Sequence, residues 1–198
     1  LSFRSLARMV DASPPADPAT HGWLLGILGE MAVRTNDAQA AERYFRAAIA
    51  TDSANGYAKG ELADLLLRQA RYAEVVSLLE QDAGQDALLL RLAIAGQRLR
   101  TPAGHRWVNA YDARYRAARR DHDTLHLREI ARYLLEVRGD TAAALDIALL
   151  NWKTQREPAD IRIYWQASAS DRSARRLLTD WIARHGYEDA LLESSPEK

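Results

Sequence analysis

The sequence predicts an all-α chain built from repeated helix pairs, and three observations carry that prediction. Apolar residues recur at three- and four-residue steps almost from end to end, with no convincing stretch of period two. Cap and breaker chemistry interrupts this pattern at Asn36-Asp37, Asn55-Gly56, Thr101-Pro102, Gly139-Asp140, Glu157-Pro158 and Gly186, which implies helices of about three or four turns joined by short loops. A large-then-small residue pair also returns in phase, as Leu28-Gly29, as Leu62-Ala63 34 residues later, and as Leu92-Ala93 30 residues after that. Self-similarity at a fixed period of roughly 20 to 50 residues is the signature of a solenoid, in which each unit buries its apolar face against the next.

Taken in chain order, residues 1–21 read as the tail of a preceding second helix (LARMVDASP) followed by a proline-rich loop from Pro14 to Pro18. Residues 22–198 read as one superhelical domain. Its first repeat, 22–55, has Leu25, Leu28, Gly29 and Ala32 facing inward from the first helix and Ala41, Phe45 and Ala48 from the second, closing at Asp52. Gly22, Gly26 and Gly29 lie inside a helix, where they permit close packing; a phosphate-binding role would place them in a loop before one. The second repeat, 56–85, keeps Leu62, Ala63, Leu66 and Tyr72 but has Val75 where a small residue is expected. The third, 86–122, keeps Leu92 and Ala93 and replaces the turn glycine by Thr101, a helix N-cap before Pro102. The fourth, 123–158, carries Ala131, Leu135, Gly139, Ala144 and Ala148. The fifth, 159–186, has an amphipathic face of Ala174, Leu177, Leu178, Trp181 and Ile182 closed by Gly186, and residues 187–198 form a tail.

This arrangement resembles the tetratricopeptide repeat family, whose unit is a helix-turn-helix with a large-small pair in the first helix and small residues in the second. Residues 22–55 match best, although the family's proline after the closing aspartate is Ser53 in this chain. The resemblance implies a right-handed α-solenoid of about five helix pairs that binds a protein or peptide without catalysing a reaction. In overall look the chain is also similar to the C-terminal half of a group of exported bacterial repeat proteins, which implies upstream repeats and a periplasmic location, with the cytoplasm as the alternative.

Composition narrows the chemistry. The 198 residues contain no cysteine, which excludes disulfides, thiolate metal sites and a cysteine nucleophile. The longest run without charge, Pro18 to Gly29, is too short to cross a bilayer. Formal net charge is zero, yet the distribution is uneven: 8 basic against 12 acidic residues from Leu1 to Leu90, 11 against 5 from Arg91 to Arg138, and 8 against 10 thereafter. No nucleotide loop, serine-hydrolase elbow, zinc-protease helix or calcium loop is present. We therefore expect no enzyme activity and no cofactor or metal.

The remaining polar clusters have bland and functional readings. Asp121, His122, Asp123, His126 and Glu129 contain a metal-ligand spacing, but Asp123 reads better as an N-cap, which puts His122 outside the helix. His21, His105 and His185 sit near helix ends. Arg106, Arg114, Arg116, Arg119 and Arg120 alternate with Trp107, Tyr111 and Tyr115. The aromatics follow a four-residue step and read as core, leaving the arginines as a solvated face. A nucleic-acid-associated protein using segment 91–138 is thus the alternative to peptide binding. For the peptide reading, the groove is predicted from the first helix of each repeat: Trp23, Gly26, Glu30 and Arg34; Tyr57, Gly60, Asp64 and Arg68; Leu90, Ile94 and Arg98; His126, Glu129 and Tyr133. Arg34, Arg68 and Arg98 stand at equivalent places, either as a ladder for a partner's carboxylates or as last-turn arginines that complement the helix dipole. Self-association through terminal repeats is a further expectation of an open-ended array.

Overall fold

The computed structural model describes residues 3–121 and 126–193, and every regular element among them is helical. In chain order these are α1 (Phe3–Ala12), α2 (Pro18–Arg34), α3 (Ala38–Thr51), α4 (Gly56–Arg68), α5 (Tyr72–Leu79), a 3-10 turn (Glu80–Asp82), α6 (Asp86–Leu99) and α7 (Pro102–Arg120). There follow α8 (Leu127–Tyr133), running into a π-helical turn (Leu134–Arg138), then α9 (Thr141–Asn151), α10 (Pro158–Ala167), α11 (Arg172–His185) and α12 (Ala190–Glu193). The all-α expectation holds. The chain divides into two compact units, Leu1–Arg91 and Leu92–Lys198, with the boundary inside α6.

Side-chain caps start six of the described helices, at Asp37, Asn55, Thr101 and Asp140 where the sequence marks a boundary and also at Asp17, inside the predicted loop, and Asp171. Asp17, Asp37, Asn55, Thr101, Asp140 and Asp171 each accept the backbone N–H three residues on, at 2.8 to 3.1 Å. The stops share a second device. Asn36, Ala70, Arg100, Gly139 and Gly186 all adopt the left-handed conformation, with φ between 55° and 67°. The amides of Asp37, Arg71 and Tyr187 then donate back to Ala32, Leu66 and Ile182, which satisfies carbonyls the helix leaves open. After the π turn the same closure reaches one residue further, from Asp140 to Leu134. Only two of these five residues are glycine, so the backbone geometry is kept where the sequence signal for it is lost.

In the first unit α1 packs on α2, α2 on both α3 and α4, α3 on α4, and α4 on α5. Leu6 and Val10 of α1 share a core with Leu25, Leu28, Ala48 and Ala58, so this helix belongs to the body of the unit. Glycines set the approach of α2 to α3: a Cβ on Gly29 would lie 2.4 Å from Cε1 of Phe45, whose ring is fully buried. Ala41 and Ala48 are also fully or almost fully buried, as the spacing predicts.

In the second unit the start of α7 meets α6 backbone to backbone, since a Cβ on Gly96 would fall 2.5 Å from the Gly104 Cα. Further on, α8 packs on α9 and α10, α9 on α10, and α10 on α11 and α12. Their core joins Ile130, Ala131, Leu134, Ala144, Ala148, Ile161, Tyr164 and Leu178. A buried polar staple crosses it. Asp160 accepts from Arg128 Nε at 2.7 Å, from Asn151 Nδ2 at 2.8 Å and from its own capping partner, the Glu157 amide, at 2.8 Å. Buried Asp189 plays the same part for Arg162, at 2.8 Å.

Candidate functional site

The face predicted from the first helices is tested unit by unit. In the first unit, Trp23 of α2 is 60% exposed and Tyr57 at the start of α4 is 48% exposed. They belong to one surface because Tyr57 lies over Gly26, one helical turn from Trp23: a Cβ there would be 3.2 Å from Tyr57 Cε1. Arg34 and Arg68 close the last turns of α2 and α4 and are exposed, while Glu30 and Asp64 are half-buried.

Gly60 departs from the expectation. It is buried beneath the Arg91 guanidinium, which donates to the Gly60 carbonyl at 3.0 Å, to Asp64 Oδ2 at 2.5 Å and to the Ala87 carbonyl at 2.9 Å. Asp64 is therefore engaged by a neighbouring helix, and sequence reasoning missed Arg91 altogether. The signal was present: Gly26 and Gly60 are 34 residues apart, and so are the side chains that cover them, Tyr57 and Arg91.

Three members of the predicted groove are corrected outright. Leu90 and Ile94 are buried at 0% and 2% exposure, and Tyr133 at 0%, so none lines a surface. Around Leu90 and Ile94, α6 is apolar on nearly every side, with Leu88, Leu89, Leu92, Ala93 and Ala95 also buried. Tyr133 lies between Tyr111 and Tyr115, with ring centroids 5.0 and 5.1 Å away, and its hydroxyl donates to Asp112 at 2.6 Å. Burial, and then the Asp112 carboxylate beside it, push the Tyr133 hydroxyl well above its ordinary titration range. Arg98 is exposed in the last turn of α6, and Glu129 is half-buried in the first turn of α8. His126 occupies the cap position before α8 rather than a helix face, because that helix begins only at Leu127.

The metal reading falls in part on residues that are not described. His122 and Asp123 lie outside the described residues, and among those described no group of three His, Asp or Glu side chains is arranged to hold a metal ion. No described helix is long and apolar enough to cross a membrane.

Charge in the first unit is organised between α3 and the turn into α5. Arg71 donates to Glu42 at 2.6 and 3.1 Å and to Glu74 at 2.6 and 2.7 Å, and Arg46 reaches Glu42 at 2.7 Å. Hydrogen bonding from Arg71 holds both carboxyls below their ordinary range. These contacts fasten α3 to the start of α5.

Compared with models of protein families, with curated proteins and with solved structures, the chain gives no significant match.

Proposed function

We propose that this protein is a tetratricopeptide-like helical-repeat scaffold that binds a protein or peptide segment without catalysing a reaction. The observation that carries the reading is the Trp23–Tyr57 surface. It sets two large aromatic side chains in solvent on consecutive first helices, with Arg34 and Arg68 at the ends of the same helices. Aromatic side chains anchor partners by burying much area at little entropic cost, and arginine forks grip carboxylates. The solenoid component is supported by the left-handed stops that close α2, α4, α6 and the π turn after α8, and by the packing of α2 on α4 and of α8 on α10, which links first helices of successive pairs.

The test is selection of binders from a random-peptide library on the whole chain. We expect enriched peptides whose affinity falls about tenfold or more on Trp23→Ala with Tyr57→Ala, the usual cost of removing interface anchors. Failure to enrich any peptide, or binding indifferent to both changes, overturns the reading.

A further inference from the structure

The second unit carries a surface of a different chemistry, independent of the aromatic one. Arg106, Arg116, Arg119 and Arg120 are exposed on α7, and Arg98 and Arg100 are exposed at the end of α6 and in the turn beside it. All the fully exposed residues of α7 from His105 onward fall within about half the helix circumference, at the 100° per residue of an α-helix. They put arginine toward both ends of this 19-residue helix and Asn109, Ala110 and Ala113 in its middle. Of these arginines only Arg116 has an ion-pair partner among the described residues, Asp112, which also holds Tyr133 and Arg138. Gly96 against Gly104 packs the end of α6 closely on the start of α7, and Arg106, two residues beyond the contacting glycine, points away from that contact at about 100° per residue.

We propose that this face docks the phosphate backbone of a nucleic-acid duplex. Two observations select that partner. Protein partners are commonly anchored by large aromatic or apolar side chains, and those exposed among the described residues, Met9, Trp23, Tyr57, Leu150 and Leu177, all lie outside residues 92–138. A single strand needs exposed rings for its bases to stack on, and here Tyr111 is buried while Trp107 and Tyr115 are half-buried. What remains is a charged, small-residue face with planar guanidinium groups, suited to regularly spaced phosphates and to binding without sequence preference.

The experiment measures affinity of the whole chain for a fluorescent duplex of about 20 base pairs over a salt series starting near 50 mM. We expect binding that weakens steeply with salt. Replacing Arg106, Arg119 and Arg120 together with alanine should reduce the slope of log affinity against log salt by about 2 to 3, since each phosphate contact contributes about 0.9. Circular dichroism verifies that the variant folds, and Arg119→Ala alone supplies a second, single-site reading. Arg4→Ala with Arg43→Ala, exposed in the other unit, should leave the slope unchanged. No binding at low salt, a slope the triple variant does not alter, or a polyglutamate peptide that competes as well as the duplex at equal charge would each overturn the proposal. These outcomes are separate from the peptide test, which reads Trp23 and Tyr57.

Discussion

The two units use glycine seats and ion pairs in different proportion, with the most deeply buried carboxylates in the second. In the first, glycine makes a seat and a neighbouring side chain fills it: Phe45 over Gly29, Tyr57 over Gly26, Arg91 over Gly60. Its Arg71 ion-pair network lies toward solvent, with Arg71 32% and Glu74 48% exposed at the side chain. In the second unit the fastening is polar and internal, with the Asp160 and Asp189 side chains only 1% and 0% exposed. The same helix-pair plan is therefore compatible with shape-based or charge-based joints, and the two differ in what a single substitution costs.

The largest effect is expected at the buried joint. Asp160→Ala removes the acceptor of Arg128 Nε, the Asn151 amide and the Glu157 N–H at once, leaving Arg128 only Glu157 and Gln155 at the rim, and breaking a buried pair by removing one partner typically costs about 3 to 5 kcal/mol. Four of the five tryptophans, including Trp152 and Trp181 in mutual edge contact at 5.0 Å, lie in this unit. Loss of their fluorescence at lower denaturant concentration is the readout, and an unchanged midpoint would show that the staple contributes nothing.

Next comes the shape-based joint. Gly29→Ala places a methyl group inside contact distance of a buried ring that has no free space to retreat into, at an expected cost of about 1 to 3 kcal/mol. Hydrogen exchange localised to α2 and α3 checks it, and protection unchanged by the methyl group would mean that Phe45 has room to move. A smaller effect of opposite sign is expected at the stops. Ala70 holds φ 57°, so Ala70→Gly should stabilise by about 1 kcal/mol through relief of left-handed strain, read as a raised midpoint of the same transition.

How much of this was legible follows from which residues carry local signals. Asn36-Asp37, Thr101-Pro102 and Gly139-Asp140 state their turn and cap chemistry in the sequence, and the structure uses them so. Gly29 was legible as a close-packing position and Phe45 as an inward one from their helical spacing, but that the two meet was not. Leu90 and Ile94 were not legible as buried, because a helix apolar on all sides has no face that periodicity can assign to solvent. Tyr133 misled for another reason: its helix position suggested the groove, but its hydroxyl is satisfied by half-buried Asp112, 21 residues earlier in the chain. Pairings at that range, like Arg91 on Asp64 or Arg128 on Asp160, leave no local trace. The π turn at Leu134–Arg138 leaves none either, since its residues are ordinary helix formers.

The smallest expected effect concerns pH and separates the two kinds of joint. Glu42 has an ordinary value of 4.5, and hydrogen bonding from Arg71 lowers it in the folded chain. A carboxyl with a lowered folded value stabilises the fold above its unfolded value, and that contribution is lost as the pH falls through the lowered one. Because the pair is partly exposed, the contribution is about 1 kcal/mol or less and weakens in salt. Stability of the first unit should therefore be insensitive to Glu42 titration above about pH 4.5 and decline below it. Glu42→Gln should flatten that decline and remove part of its salt dependence, as read by hydrogen exchange in α3 and α5. A decline equally steep in the variant would place the acid sensitivity of this unit elsewhere and reduce the Arg71 network to a surface contact without energetic consequence.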